Sequence, residues 1–397
     1  MSKSNLPSRG RVKKRNTIYL DYASSSLLKS ANPGGIHEYG LKEKNKLEKA
    51  RTTVAQILGA HDYEITFTSG ATEANNLAIL GLIKNFKKPH IVTTNIEHAS
   101  VLEVCRHMEE TKQAEVTYVE VEENGIVDPK RIKKALKQNT ALVSVMYANN
   151  EIGTIQPIVE IAKEIRHFNK MNRSKIFFHS DATQAINYLP IKVEKLGIDL
   201  LSFNGAKIYG PKGVGVLYVK KNTPIKKIMF GGEQEHGLRP GTENVALAVE
   251  FSEVLGDVEK IKNKEVFRLT KLRDYFINKL NHSHILKSVG MIFNGDLKDR
   301  LPNNINITIP GIPSDLLVIE LSTRGIMASA KSACKSGDGK ASHVIEAINK
   351  NIRPARRGGD TDGSLRFSLG RDTTKSDIDY TIKSLSEILQ KLKKWYN

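Results

Sequence analysis

From residue 64 to residue 219 short apolar runs alternate with longer helical segments, and no other feature narrows the possible folds as much. The runs at 64–68, 90–94, 116–121, 141–147, 177–181, 199–203 and 214–219 are short and rich in β-branched or aromatic residues, so they read as strands. Segments at 74–82, from 100 onward, before 141 and at 158–168 carry helical character, and a charged helix at 41–58, stopped by Gly59, precedes them. Strands separated by helices make a mostly parallel sheet covered on both faces, an α/β fold. After a helix at 242–255 the pattern weakens. A long helix from 266, a strand near Ile292, alternation at 304–309 and further helices to Trp395 suggest a second, α+β unit.

At 397 residues the chain is too long for one ordinary core. The expected division is a basic tail at 1–17, a large domain at 18–262 and a smaller one at 263–397. A short strand at 18–22 would enter the large domain. No apolar run is long enough to span a membrane, and the basic opening lacks the apolar core of a secretory signal, so a cytoplasmic protein is expected. Two cysteines cannot build a disulfide framework. The formal charge of +18 could attract nucleic acid or an acidic protein. No zinc knuckle or other nucleic-acid motif accompanies it, and a solvated lysine-rich surface is the preferred reading.

Chemistry in open α/β sheets collects at the carboxyl ends of the strands. Asp181 closes one run there and Lys207 follows the next. A buried carboxylate needs a cationic partner, and a desolvated lysine becomes a usable nucleophile and base. Pyridoxal phosphate needs both: a lysine to bind it covalently and an acid to keep its ring nitrogen protonated. Gln184 lies one turn beyond Asp181. Upstream, the Ser69-Gly70-Ala71-Thr72 turn runs from a strand into a helix and offers backbone N–H groups and hydroxyls to an anion, although simple helix capping explains it equally well. His98 follows another strand and could stack on a cofactor ring, relay protons as a catalytic residue, or serve structure alone. Asn149-Asn150 could donate amides or merely shape a turn.

Arg366 sits within an apolar strand, where it needs an anion: a substrate carboxylate or a structural partner. Cys334 lies in a stretch of small and basic residues that reads as an exposed loop, and flanking Lys331 and Lys335 favour its thiolate. Cys105 falls in a helical run and reads as a core thiol.

Together these stretches resemble the cysteine desulfurases, enzymes of the class V aminotransferase group with the type I, aspartate-aminotransferase-like fold. The resemblance runs from about residue 18 to residue 392. It rests on TSGATEANNLAI at 68–79, EHASVL at 97–102, NNEIGT at 149–154, DATQ at 181–184, KIYGPKG at 207–213, GLRPGTEN at 237–244, and the SAC and LRFSLGR segments. It implies that Lys207 carries pyridoxal phosphate, Asp181 pairs with the pyridine nitrogen, Gln184 with the ring oxygen, and His98 stacks on the ring. Ala71 and Thr72 would hold the phosphate, with Asn204 beside it and Thr242 reaching in from the second subunit of a homodimer. Asn150 and Arg366 would hold the carboxylate of L-cysteine. Cys334, on a mobile loop at about 328–362, would take the sulfur as a persulfide, leaving alanine, and pass it to an acceptor protein for iron–sulfur cluster assembly or tRNA thiolation. Another reaction of the same cofactor, such as selenocysteine lysis, and a degenerate sulfur-transfer scaffold are the alternatives.

The chain departs from the family in three places. Ala206 stands where a histidine usually precedes the lysine, and Asn204 replaces a phosphate-binding serine. A lost bond to a charged group is worth roughly 1.5–3 kcal/mol, so weaker cofactor retention is expected unless Asn204 compensates. The segment between Asp21 and Asn32 is too short for the family's usual helix. The loop lysines Lys331 and Lys335 replace small or hydroxyl residues.

Overall fold

The computed structural model describes residues 21, 23, 31–330, 342–349 and 364–396. The expected tail at 1–17, all of the expected strand at 18–22 but Asp21, most of the short segment between Asp21 and Asn32, and Cys334 with Lys331 and Lys335 lie outside the described residues.

Seven strands form the central sheet: β1 (Ile65–Thr68), β2 (His90–Thr94), β3 (Glu115–Val119), β4 (Thr140–Ser144), β5 (Phe177–Asp181), β6 (Leu200–Asn204) and β7 (Gly215–Val219), in the order β1-β7-β6-β5-β4-β2-β3. Only β7 runs antiparallel to its neighbours, so the mostly parallel α/β architecture expected from the alternation is the one observed. Crossovers are supplied by α2 (Ala71–Ile83), α3 (Ala99–Glu110), α4 (Pro129–Ala135), α5 (Ile158–Asn172) and the short α6 (Val193–Leu196).

Adjacent strand residues serve opposite faces. Leu142, Phe177, Leu200 and Leu217 pack with α2 and α3 through Ala74, Leu77, Val101 and Cys105. Their neighbours Val143, Phe178, Leu201 and Val216 pack on the other face with α5 and with α1 (Glu38–Leu58). Helix α2 is apolar almost all round because it is buried almost all round. Helix α1 ends where Gly59 takes a left-handed conformation (φ +70°) and returns its N–H to Ala55 and Gln56.

The chain from 242 onward differs from its sequence reading. Instead of two helices, one unbroken helix of 38 residues, α7 (Val245–His282), runs about 57 Å. Gly256 and the charged stretch after it look like a break. Yet lysine and glutamate are good helix formers, and Lys260–Asp257, Lys262–Glu259 and Arg268–Glu265 pair one turn apart. The expected boundary between residues 262 and 263 falls inside this helix.

Beyond it lie α8 (His284–Ser288), α9 (Ser314–Ser322), α10 (His343–Ile348), α11 (Lys375–Tyr396) and a three-stranded antiparallel sheet of β8 (Ile292–Phe293), β9 (Asn304–Thr308) and β10 (Ser364–Ser368), with β9 central. A bridge between Thr154 and Arg300 ties this part to the turn after β4. Among the described residues, no helix is long and apolar enough to cross a membrane.

Candidate active site

The chain leaving β1, β2, β4, β5 and β6 does so on one edge of the sheet, the edge where parallel strands present their carboxyl ends. A cavity of about 370 Å³ opens there. Of the residues singled out in the sequence, Ala71, Thr72, His98, Asn150, Asp181 and Gln184 line it, as do Asn204, Lys207 and Arg366. Thr242 does not. It lines a neighbouring pocket of about 220 Å³ with Ser69, Arg239 and Glu235.

Asp181 is the last residue of β5 and is buried. Its Oδ1 accepts from the Thr183 N–H (2.9 Å) and its Oδ2 from the Asn75 amide (2.8 Å), so both oxygens are oriented. Behind it on the same strand, His179 is wholly buried between Ser144 (2.8 Å) and Ser202 (2.9 Å). Burial holds the His179 imidazole down to about 4, against the opposing pull of Asp181.

Lys207 ends a 3-10 turn that follows β6 directly. Asn204 caps that turn, its Oδ1 accepting from the Lys207 N–H at 3.2 Å, while Asn187 donates its amide to the Lys207 carbonyl. With its oxygen committed to the turn, Asn204 has its NH₂ left to offer the cavity. Ala206 is exposed and brings no donor.

Gly70 is the N-cap of α2, and no side chain caps the helix. Capping by Ser69 or Thr72, the simpler reading of this turn, is not what the structure has. The first N–H groups of α2 therefore keep their capacity for an anion. Gly70 adopts φ +155°, ψ 178°, a region open essentially to glycine alone, which turns the strand into the helix within one residue. Gly215 on β7 makes the same turn possible from the other side: a Cβ there would lie 2.6 Å from the Gly70 backbone. Glu73 in the first turn accepts from the Ser69 N–H (2.6 Å) and from Arg239 (3.0 Å). Burial would raise its carboxyl, but those bonds outweigh it and hold it below the usual range.

The Asn149-Asn150 pair divides its labour. Asn149 is fully buried and shapes the turn, accepting from the Glu151 and Ile152 N–H groups and donating to the Ile96 carbonyl. Asn150 faces the cavity. Its backbone carbonyl accepts from Arg366 Nη1 at 3.0 Å, and Arg366 Nε is buried without a partner among the described residues. Burial lowers the Arg366 pKa, against the nearby Glu151. A half-buried guanidinium lining a cavity, with no carboxylate partner among the described residues, is suited to a carboxylate.

His98 caps α3 with its own ring, Nδ1 accepting from the Ser100 N–H at 3.1 Å. Glu97 beside it is fully buried. Burial, reinforced by Asp181, pushes its carboxyl up to about 8 despite bonds from the Met146 N–H and the Thr94 hydroxyl. Cys105 is a core thiol, as its helical position suggests: burial pushes it up to about 12.

Sequence reading passed over Asn75, Ser100 and Thr183. Thr183 lines the cavity, and its hydroxyl oxygen is buried without a partner among the described residues. Thr183 falls within a quoted motif and Ser100 two residues past His98, but only the fold shows that they face the same space.

The chain belongs to the aminotransferase class V family, whose model matches residues 13–381. Members of that family depend on pyridoxal phosphate. Among its relatives is the cysteine desulfurase IscS of Dictyoglomus turgidum, 41% identical, with the match covering 96% of each chain. Among solved structures, a NifS-like protein superposes with a TM-score of 0.81 at 34% identity, covering 91% of this chain and 92% of the other. SspA in complex with cysteine superposes with a TM-score of 0.71 at 32% identity, covering 85% and 90%.

The residues present fit the cofactor. An uncapped helix start and an oriented buried carboxylate share one cavity with a lysine one turn past a strand end.

Proposed function

We propose that this protein is a pyridoxal-phosphate-dependent cysteine desulfurase that converts L-cysteine to L-alanine and passes the sulfur on as a persulfide. The observation that carries this is the meeting of Lys207, Asp181 and Arg366 in one cavity, in a chain so closely related to a desulfurase along its length.

In this reading the N–H groups of Ala71 and Thr72 and the Thr72 hydroxyl hold the phosphate, and Asn204 adds its amide. Asp181 would keep the pyridine nitrogen protonated, Gln184 would bond the ring oxygen, and His98 would lie against the ring. Bound pyridoxal phosphate supplies an electrophilic carbon for an amine and a ring that stores the electrons released at the substrate Cα. Arg366 and Asn150 orient the substrate carboxylate. The Lys207 amine takes and returns the Cα proton. The Cys334 thiolate attacks the substrate sulfur. An S–S bond forms, the Cβ–S bond breaks, and its electron pair stays with Cβ, which takes a proton to become the methyl group of alanine.

The same reading includes a homodimer in which Thr242 of a second copy completes the phosphate site, and two domains dividing within α7. It also includes a cytoplasmic location and an acceptor protein serving iron–sulfur assembly or tRNA thiolation. The +18 charge is read as a solvated surface rather than a nucleic-acid site.

The test is alanine release from L-cysteine together with protein-bound persulfide, in wild type and in Cys334→Ser. Loss of both in the variant is expected. Alanine production that survives unchanged would sink the persulfide mechanism.

A further inference from the structure

Behind the cavity wall a line of hydrogen bonds connects Asp181 to His98 through two residues to which no role has been given. Asn75, on α2 and fully buried, donates one amide hydrogen to Asp181 Oδ2 (2.8 Å) and the other to Ser100 Oγ (2.8 Å). The orientation of that amide is forced. Turned over, its carbonyl oxygen would face the Asp181 carboxylate, oxygen against oxygen. The cost of the observed orientation is visible, because Asn75 Oδ1 is left buried without a partner.

Ser100 Oγ therefore spends one lone pair on Asn75 and lies 2.9 Å from His98 Nδ1, with its hydrogen and a second lone pair still to place. The Ser100 backbone N–H points at the same ring nitrogen from 3.1 Å. A backbone N–H can only donate, so Nδ1 presents its lone pair, and the Ser100 hydroxyl turns its hydrogen to the same atom. A neutral imidazole with its lone pair on Nδ1 carries its hydrogen on Nε2.

We infer that Asn75 and Ser100 are positioning residues that lock His98 in the Nε2–H tautomer, so that the ring offers the cavity an N–H rather than a lone pair. His98 then acts toward an electron-rich atom of substrate or cofactor as a hydrogen-bond donor. Asp181 and His98 are set by one network: the carboxylate fixes the amide, the amide occupies one lone pair of the Ser100 hydroxyl, and the Ser100 N–H and hydroxyl together set the ring. This deepens the desulfurase reading and rests on it for its catalytic half.

The experiment is two-bond ¹H–¹⁵N NMR on protein labelled at histidine, with the His98 signals identified by their loss in His98→Gln, alongside steady-state kinetics of the holoenzyme. Wild type is expected to carry the proton on Nε2, with or without bound pyridoxal phosphate. Ser100→Ala, which removes the hydroxyl but keeps the backbone donor, should give mixed tautomers and a kcat about fivefold lower at nearly unchanged KM, the scale of one ordinary hydrogen bond. Ser100→Thr should restore both. An Nδ1–H tautomer in wild type overturns the inference without any variant having to fold. A tautomer that shifts in Ser100→Ala with kcat unchanged overturns its role in catalysis. A chain that makes no alanine would defeat the desulfurase reading instead, and the wild-type tautomer would still be read.

Discussion

Arg366, which lines the cavity, and Ala206, next to Lys207, carry quantitative predictions. Arg366 is anchored to Asn150 and has a buried N–H to spare. If it holds the substrate carboxylate, Arg366→Gln removes charge-assisted bonds worth roughly 1.5–3 kcal/mol, so KM for L-cysteine should rise roughly 10- to 100-fold. A KM within twofold of wild type would move the carboxylate site elsewhere. Ala206 is the other. Its exposed methyl replaces a donor, and Asn204 keeps one amide group for compensation. Ala206→His should tighten pyridoxal phosphate binding about tenfold by equilibrium dialysis, the scale of one bond to a charged group. An unchanged affinity would show that Asn204 already does that work. Much of this was legible in the sequence. Asp181 and Lys207 stand out because one ends an apolar run and the other closes the short turn after the next, and a polar residue in either place is a turn former or a reagent. Asn75 and Ser100 were not, because an asparagine within a helix and a serine at a helix start have ordinary local explanations. Their partners lie 106 and 25 residues from Asn75 along the chain.

Among elements, α2 and α7 show how local signals win or lose. The strand-to-helix turn at α2 was readable from its small residues, but the choice of cap was not: Gly70 takes the N-cap, and Ser69 turns its N–H to Glu73. In α7 the sequence misled, because one glycine followed by a polar run imitates a linker. Packing of Phe251, Leu255 and Val258 on one side and Leu269, Phe276 and Leu280 on the other carries the helix through. Nothing lies within 4 Å of a Cβ built on Gly256. Gly256→Ala should therefore stabilise the protein by about 0.5–1 kcal/mol, read as a higher denaturant midpoint at unchanged slope. Destabilisation would mean that α7 bends at this residue.

For the whole molecule, the interior holds a charge-sensitive group beneath the site. His179 is buried neutral at about 4, against an ordinary value of 6.5. The unfolded chain takes up a proton near 6.5 and the folded one does not until about 4. The stability that this histidine gives is thus complete above pH 6.5 and is lost as pH falls through that window, on the order of 3 kcal/mol in all. Glu97 works the other way. Its carboxyl is raised to about 8, so its contribution is complete below about 4.5 and is lost as pH rises toward 8. Denaturant unfolding of wild type and His179→Gln between pH 7 and 4 separates the two: their difference in stability should shrink steadily as pH falls. A constant difference would show that His179 titrates normally.

The central claim is that the Lys207 cavity binds pyridoxal phosphate and takes sulfur from L-cysteine. The most direct measurement follows the visible absorption of the protein reconstituted with pyridoxal phosphate as L-cysteine is added, with a thiol reductant present, and quantifies alanine in the same sample. Wild type should show the cofactor band, change it on addition of cysteine, and release many equivalents of alanine. Lys207→Ala should do neither of the last two. A wild-type protein that binds no cofactor, or alanine release that continues undiminished in Lys207→Ala, would contradict the claim.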